Sequence, residues 1–357
     1  MNEKLKNLSI EYLKSYLSIS SYVGCTVNCT YCILSPIKIV PMRPIKVIDE
    51  TELINNVLNS RYFEKDKTVL CLNNRTDPFI TEDVKRSTFK ILELLDSKKL
   101  KNIVTIITKC LLTEEDAIYL DKFKNIRIVI TVTYNGLPKN IQPIDKKIQE
   151  ETMINISKCN NVKLIHQFRP IIPGINDTEK TIREVVDFAQ EYCDATVYQG
   201  IRVNNIIKER LQKKDYFYDG KMDNHKQMSL NTNEIFNNLL IEKKDYPIFD
   251  HTSCCLSYLF DNYDYNMHFS KRNCNALCKN YSKCHEKHTI VERDIVSKLN
   301  KIGITDNYEL KDGTIFYDGP LNDEQKSYIK HILHLNVIST QREKSYSEKI
   351  IEGLYAN

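Results

Sequence analysis

Three cysteines in the first tenth of the chain have a spacing that suits an iron–sulfur cluster. They lie in the stretch Cys25-Thr-Val-Asn-Cys29-Thr-Tyr-Cys32, with an aromatic residue directly before the last thiol. Three thiolates on one tight loop can bind three irons of a four-iron cluster and leave the fourth iron without a protein ligand. An open coordination position of this kind allows a metal centre to bind a reactant. A structural zinc loop or a redox-active cysteine loop is the alternative for the same residues.

A second group of thiols lies later in the chain and is also suited to a metal. Its members are Cys254, Cys255, Cys274, Cys278 and Cys284. Four thiols this close in sequence can close a tetrahedral set, either as an auxiliary iron–sulfur cluster or as a zinc site with His285 or His288 as a ligand. Since adjacent residues rarely both point inward, the sequence leaves open whether Cys254 or Cys255 ligates.

The fold that must position these thiols alternates strands with helices. Strand composition occurs at residues 16–23, 68–72, 103–108, 126–133, 162–168 and 195–201. Helical segments separate them, at 49–58, 81–95, from Thr113 onwards, at 146–158 and at 177–192. Alternation of this kind implies a parallel sheet with right-handed crossovers. We also predict a leading helix at 3–15, a linker or lid at 207–227 and a helix at 231–243.

Six strand–helix units are too few for a complete eight-stranded barrel. The spacing suits either an open barrel or a flat doubly wound sheet, and the cysteine loop after the first strand favours the barrel. We therefore predict an α/β fold: a partial (β/α)6 TIM-like barrel over residues 1–205, followed by a small Cys-rich α+β domain over 206–357.

The first cysteine loop, with Tyr31 before its last thiol, resembles the radical S-adenosylmethionine (SAM) superfamily. The resemblance implies that the open iron of a [4Fe–4S] cluster is chelated by the amino and carboxylate groups of SAM, and that Tyr31 shapes the adenine pocket. It further implies reductive cleavage of SAM to a 5′-deoxyadenosyl radical, which abstracts hydrogen from a substrate carbon. Such an enzyme would be oxygen-sensitive and would take electrons from a flavodoxin- or ferredoxin-type donor. The second cysteine group resembles the auxiliary-cluster modules of larger radical SAM maturases.

Polar residues at the carboxyl ends of the predicted strands are candidates for binding SAM, because parallel barrels bind ligands there. After the second strand, Thr76 and Asp77 occupy the place where the family holds the SAM amino group. Together with Pro78 they resemble the photolyase-type, spore photoproduct lyase-like branch. A plain turn is the alternative.

The fourth and fifth strands end in further candidates. Strand alternation puts Thr131, Thr133 and Asn135 on one face, where family members contact the ribose and carboxylate of SAM, although threonine also favours strands in general. The segment from Arg169 to Asp177, with its turn at Gly174, resembles the family's adenine-packing segment, and Asn176 or Asp177 would cap the next helix.

Further residues at strand ends are candidates for substrate contact or hydrogen donation. Arg169, Tyr198, Gln199 and Arg202 are candidates for contact with substrate. Cys71 and Cys110 are candidate catalytic hydrogen donors.

Composition limits the classes of function. The net charge of +4, from 51 basic and 47 acidic residues, permits a nucleic-acid substrate but does not support one. No stretch approaches the roughly 18 apolar residues of a membrane helix, so we expect a cytoplasmic protein without a membrane partner. Twelve cysteines in such a protein point to metal or redox chemistry.

Three hypotheses follow from the sequence. The first is a radical SAM enzyme that acts on a peptide or small metabolite. The second is a spore photoproduct lyase-like enzyme that acts on a nucleic-acid base. The third is a non-catalytic iron–sulfur or zinc-binding protein.

Overall fold

The structure is a computed structural model that describes residues 5–216, 228–270, 274–286 and 292–344, together with residue 349. Its strands are β1 (Ile10–Leu13), β2 (Tyr16–Ile19), β3 (Tyr22–Val23), β4 (Ile45–Lys46), β5 (Leu70–Leu72), β6 (Ile103–Thr108), β7 (Arg127–Thr133), β8 (Val162–Ile171), β9 (Ala195–Gly200), β10 (Ile248–Phe249), β11 (Tyr308–Lys311), β12 (Thr314–Leu321) and β13 (Asn336–Arg342). Its helices are α1 (Glu50–Leu58), α2 (Glu82–Ser97), α3 (Glu114–Leu120), α4 (Lys146–Ile156), α5 (Glu179–Tyr192), α6 (Asn205–Gln212), α7 (Leu230–Glu242), α8 (Thr252–Leu259), α9 (Tyr281–His285), α10 (Glu292–Lys301) and α11 (Asp323–Tyr328).

The central sheet has eight strands in the order β1-β2-β5-β6-β7-β8-β9-β10. All neighbouring strands from β2 to β10 pair in parallel, and β1 pairs antiparallel with β2. The predicted α/β class and the parallel order of the six units are therefore confirmed, and the mostly parallel sheet is consistent with a partial TIM-like barrel. The seventh parallel strand, β10, comes from beyond residue 205, and the division of the chain at 205 stays a prediction.

The structure differs from two local expectations. Residues 10–13 form a strand instead of part of a helix, because Glu11 and Tyr12 bind distant partners: Glu11 pairs with Arg75, and the hydroxyl of Tyr12 lies 3.1 Å from Nδ1 of His331. The start of the predicted linker is the helix α6, while residues 217–227 of that segment lie outside the described residues.

Helix caps mostly follow the sequence signals. Asp49 and Thr81 cap α1 and α2, and Thr113 forms a capping box with Asp116 at α3. Helix α5 is capped by Thr178, not by Asn176 or Asp177 as predicted. The reason is that the amide of Asn176 donates hydrogen bonds to two backbone carbonyls and so ties the end of β8 to the end of β7.

The two faces of the sheet form separate apolar layers. Strand residues such as Ile128, Ile130 and Val132 pack against the surrounding helices. On the other face, Val129 belongs to a cluster completed by Cys255 and Leu256 of α8. This inner cluster forms an apolar floor, and polar residues lie beyond it toward the carboxyl ends of the strands.

The last part of the chain adds a three-stranded sheet, β11-β12-β13, whose first turn passes through Asp312 and Gly313 with positive φ. It packs on the same core as the barrel. Glu64 of the barrel region accepts hydrogen bonds from Lys298, Lys301 and Tyr328 at 2.8, 2.9 and 2.5 Å. Among the described residues, no helix is both long and apolar enough to cross a lipid bilayer.

Candidate functional site

A cavity of about 490 Å³ opens at the carboxyl ends of the parallel strands. Its volume lies within the range of roughly 300–1,000 Å³ that is usual for small-molecule sites. The cysteine loop forms one wall, the ends of β5 to β9 form another, and residues 251–268 contribute a third. We call this cavity the chamber.

The cysteine loop folds tightly against the chamber. Its first residue follows Gly24, which has φ of +112° and donates its backbone N–H to the carbonyl of Arg75 at 2.9 Å. A Cβ atom at Gly24 would lie 2.9 Å from the backbone oxygen of Arg43, so with this positive φ only glycine fits the approach. Cys25, Cys29 and Cys32 all line the chamber, with Cys29 buried and the other two half-buried.

Arg210 of α6 holds the loop from the outside. Its guanidinium donates to Oδ1 of Asn28 at 2.6 Å, to the carbonyl of Asn28 at 3.2 Å and to the carbonyl of Cys29 at 2.9 Å. It also binds the hydroxyl of Ser35, just beyond the last thiol. One side chain therefore satisfies backbone carbonyls of a loop that has no regular secondary structure.

Positive charge faces the three thiols. Burial alone would lower the pKa of Lys109, but the charges of Cys29 and Asp77 outweigh burial and raise that pKa. Asp77 is itself held by the hydroxyl of Thr108 at 2.7 Å and the backbone N–H of Lys109 at 2.8 Å. Burial raises the pKa of the Cys25 thiol to about 12, with the charge of Asp77 acting in the same direction. A coordinated thiol is deprotonated outright, so these thiols would lose their protons to a bound metal.

The three sulfurs of the loop do not all lie within the distance that one zinc ion requires. Two sulfurs on one zinc can be no more than about 4.6 Å apart, because each Zn–S bond is about 2.3 Å. Within the described residues, three ligand atoms come within 4.8 Å of one another only at Cys254, Asp264 and His268, and not in the cysteine loop. The loop thiols, the cation at Lys109 and the volume of the chamber thus fit a [4Fe–4S] cluster with bound SAM.

Several predicted cofactor-binding residues line the chamber. Tyr31 is half-buried there, and its hydroxyl binds Gln142. Thr76, Asp77 and Thr133 also line it, and the hydroxyl of Thr133 donates to Oε1 of Gln167 at 3.0 Å. The structure therefore brings these four side chains to the same space as the cysteine loop.

Other predicted cofactor-binding residues lie outside the chamber wall. Thr131 is buried below it, 3.4 Å from the hydroxyl of Thr105, and Asn135 is buried behind it, donating to the carbonyl of Arg169 at 3.0 Å. Gly174 has φ of +77° and donates its backbone N–H to Asp177 at 2.8 Å, in a turn away from the lining. The structure does not place Thr131, Asn135, Gly174 or Asp177 in contact with the chamber.

The two candidate hydrogen donors also lie outside the lining. Cys71 is fully buried on β5, and burial raises the pKa of its thiol to about 12. Cys110 is half-buried and is not among the residues that line the chamber. Of the candidates for substrate contact, Arg169, Gln199 and Arg202 line the chamber, whereas Tyr198 stacks on Phe236 at 3.7 Å.

The second cysteine group gathers around Asp264. Cys255 is fully buried in the apolar floor, whereas Cys254 faces Asp264 and His268. The backbone N–H of Asp264 donates to the sulfur of Cys284 at 3.3 Å, and Oδ2 of Asp264 lies 2.9 Å from Nδ1 of His268. Burial alone would raise the pKa of Asp264, but its hydrogen bonds to His268 lower it to about 2.

The remaining thiols are linked to this group through their charges. Burial raises the pKa of the Cys278 thiol, and the charges of Cys274 and Asp264 raise it further. His285 is exposed and its ring stacks on Tyr281, while His288 lies outside the described residues.

Four residues of these sites were missed by the sequence reasoning. Arg210 could have been suspected, since Asn204 is a helix cap signal and Ile207 and Leu211 have helical spacing. The spacing of Asp264 and His268, at i and i+4, is compatible with a local pair, but nothing local connects either of them to Cys254. Lys109 directly follows a predicted strand, as the ligand-binding residues of a barrel do.

Comparisons with known proteins locate the fold. No protein-family model matches the chain, and no curated protein matches it. Among solved structures, the chain is similar to a spore photoproduct lyase variant with bound AdoMet and dinucleoside spore photoproduct, at 12% identity and a TM-score of 0.54, over 68% of this chain and 79% of the other. It is also similar to spore photoproduct lyase complexed with dinucleoside spore photoproduct, at 12% identity and a TM-score of 0.52, over 66% and 76% of the two chains. The resemblance that the cysteine spacing predicts is thus confirmed at the level of the fold, which this chain shares with spore photoproduct lyase.

Proposed function

We propose that this chain is a radical SAM enzyme whose [4Fe–4S] cluster is held by Cys25, Cys29 and Cys32. The observation that carries the proposal is the position of the three thiols, which share the wall of a ligand-sized chamber at the carboxyl ends of parallel strands. The fold of spore photoproduct lyase supports it. When bound, the cluster and SAM supply a 5′-deoxyadenosyl radical that abstracts hydrogen from the substrate.

The residues of the chain bind and orient these groups. Lys109 balances the negative charge that three thiolates bring into the chamber, and Arg210 fixes the loop that carries them. Tyr31 and Thr133 line the space next to the loop, where SAM would lie. The apolar floor around Val129 excludes water from below the chamber. Electrons would come from a flavodoxin- or ferredoxin-type partner.

The substrate is either a peptide or small metabolite, or a nucleic-acid base. The chamber is of a size for a small molecule, and the mild net charge does not favour tight binding to nucleic acid. A lyase acting on a base is the second candidate, favoured by the matched structures that hold a dinucleoside photoproduct. A mobility shift with oligonucleotides at low salt separates the two, because contacts to phosphates weaken steeply as salt rises.

The test of the main proposal is cleavage of SAM by the reconstituted protein. Reduced protein given SAM should release 5′-deoxyadenosine, and the Cys29→Ala variant should release none because the cluster loses a ligand. The Cys159→Ala variant is the matched control, since Cys159 is a half-buried thiol that donates to the carbonyl of Ala117, away from the chamber. Failure of the unmutated, fully reconstituted protein to cleave SAM would leave only a non-catalytic metal-binding role.

We also propose that Cys254, Cys274, Cys278 and Cys284 hold a second metal centre, with an auxiliary [4Fe–4S] cluster as the first choice and zinc as the alternative. The support is that Asp264 donates its N–H to Cys284 and fixes the ring of His268 beside Cys254, while the charges of Cys274 and Asp264 both act on Cys278. Metal-bound thiolates and imidazoles are commonly held by such outer hydrogen bonds.

Metal analysis of paired variants tests the second centre. Reconstituted protein should contain about eight irons if both sites hold clusters, and about four irons with one zinc if the second site is a zinc site. The Cys254→Ala variant should lose the second metal, whereas Cys255→Ala should keep it, because Cys255 packs in the apolar floor. Equal metal content in both variants and in the unmutated protein would rule out a second centre at Cys254.

A further inference from the structure

Two arginines of the chamber form no ion pair within the part of the chain that the structure describes. Arg169 at the end of β8 and Arg202 just after β9 both line the chamber and are half-buried. Neither guanidinium forms a hydrogen bond or an ion pair with any residue that the structure describes, and Nε of Arg202 is buried without a partner. A buried polar group without a partner costs free energy that a bound ligand can recover.

The charges around the pair do not compensate it. Burial lowers the pKa of Arg169, the nearby tyrosines Tyr16 and Tyr31 oppose that shift, and the charge of Arg202 acts with burial. Another lining arginine, Arg75, is neutralised by a bidentate pair with Glu11 at 2.5 Å. Of these three lining arginines, Arg75 is therefore paired, whereas Arg169 and Arg202 form no ion pair with the described residues. The wall formed by the ends of β8 and β9 thus carries two positive charges without an ion-pair partner there.

An acceptor on the same wall is also unsatisfied. Gln199 is 4% exposed, lines the chamber, and donates through Nε2 to the carbonyl of Asp250 at 3.1 Å. That bond fixes the orientation of the amide, and its Oε1 is buried with no hydrogen-bond partner among the described residues. The wall thus offers guanidinium donors together with one amide acceptor.

We propose that Arg169 and Arg202 form an oxyanion-binding site for the substrate, and that the substrate carries a phosphate with a hydroxyl or N–H near it. Guanidinium forks match phosphate oxygens in two parallel hydrogen bonds, and Oε1 of Gln199 accepts the neighbouring proton. The inference rests on the proposed function in one respect: in the radical SAM family that the cysteine loop resembles, the open iron chelates the SAM carboxylate, and this would leave the arginine pair to the substrate.

The test is a calorimetric titration of inorganic phosphate into the reconstituted protein with SAM already saturating, at constant ionic strength. We expect saturable binding that the Arg202→Gln variant weakens roughly tenfold or more, the loss of one charge-assisted hydrogen bond. The Arg202→Lys variant, which keeps the charge and loses the fork, should fall between the two. Arg86→Gln removes the same charge from an exposed site on α2 and should bind as the unmutated protein does.

Two results would overturn the inference. If SAM and phosphate compete, the pair serves the carboxylate of SAM and not the substrate. If Arg202→Gln binds phosphate normally while its melting temperature shows a folded protein, the pair is not an oxyanion site. Release of 5′-deoxyadenosine is measured on the same samples, so a failure of the proposed function shows as lost SAM cleavage, whatever the phosphate titration gives.

Discussion

Arg210 offers the sharpest test of how the cysteine loop is held. Its guanidinium makes three hydrogen bonds to Asn28 and Cys29, between 2.6 and 3.2 Å, and a fourth to Ser35. Each hydrogen bond with a charged partner contributes about 1.5–3 kcal/mol. Because the side chain is half-exposed and its bonds are not additive, we assign about 3 kcal/mol to the set as a whole. That free energy corresponds to roughly a hundredfold change in an equilibrium constant.

The Arg210→Ala variant should therefore lose iron from the loop cluster about a hundredfold more readily than the unmutated protein. The measurement is anaerobic transfer of iron to a ferrous chelator, followed by its absorbance, with the second cysteine group disabled by Cys254→Ala so that one site is observed. Arg210→Lys should be intermediate, since lysine keeps the charge but cannot bridge several carbonyls at once.

The matched control is Lys213→Ala, which removes an exposed cation at the C-cap of the same helix. If this control and Arg210→Ala release iron at the same rate, the effect is one of net charge and the argument from hydrogen bonds fails. If Arg210→Ala retains iron like the unmutated protein, and amide exchange of the loop is unchanged, Arg210 does not position the cysteines.

Three further predictions concern stability and charge. Burial alone would raise the pKa of Glu64, but hydrogen bonds from its lysine and tyrosine partners lower it to about 2. The Glu64→Gln variant should therefore lose about 3 kcal/mol of unfolding free energy at pH 7, measured by urea unfolding. This difference should shrink below pH 4, because the carboxylate is protonated first in the unfolded and then in the folded state. Burial lowers the pKa of His166 to about 4. Between pH 7 and pH 5 only the unfolded state therefore binds a proton at this residue, and the unfolding free energy should fall by about 2 kcal/mol. If the His166→Gln variant loses as much stability over this pH range as the unmutated protein, the prediction is contradicted. Lys109→Met should make the loop cluster harder to reduce, seen as a more negative midpoint in an anaerobic redox titration, and an unchanged midpoint would show that the cation does not face the cluster.

The sequence predicts best what depends on near neighbours. The starts of α1, α2 and α3 were readable because Asp49, Thr81 and Thr113 accept hydrogen bonds from residues two or three positions away. The order of the parallel strands was readable because apolar runs such as β6 and β7 recur between amphipathic helices. The cysteine loop was readable because all three thiols lie within eight residues.

Contacts between distant residues explain what the sequence could not supply. Glu11 is held by Arg75, 64 residues away, and this contact belongs to a strand where local composition favours a helix. Arg210 donates a hydrogen bond to the carbonyl of Cys29, which is 181 residues away in the sequence. Only the folded chain therefore shows that the predicted linker begins with a helix that binds the cysteine loop. In each case a buried polar partner decides the outcome, and propensity is a weak prior beside it.

The choice between Cys254 and Cys255 shows how packing resolves what spacing leaves open. Both thiols lie on α8, about 100° apart around the helix axis, so at most one of them can face a given neighbour. The rotation of the helix is set by Leu256, which is fully buried against the apolar floor and brings the adjacent Cys255 into the same layer. Cys254 is then left facing Asp264 and His268. An apolar contact on one side of a short helix thus decides which thiol is available to a metal on the other side. A polar residue in place of Leu256 should allow the helix to rotate, so that Cys254 no longer consistently faces Asp264, before the barrel strands are affected.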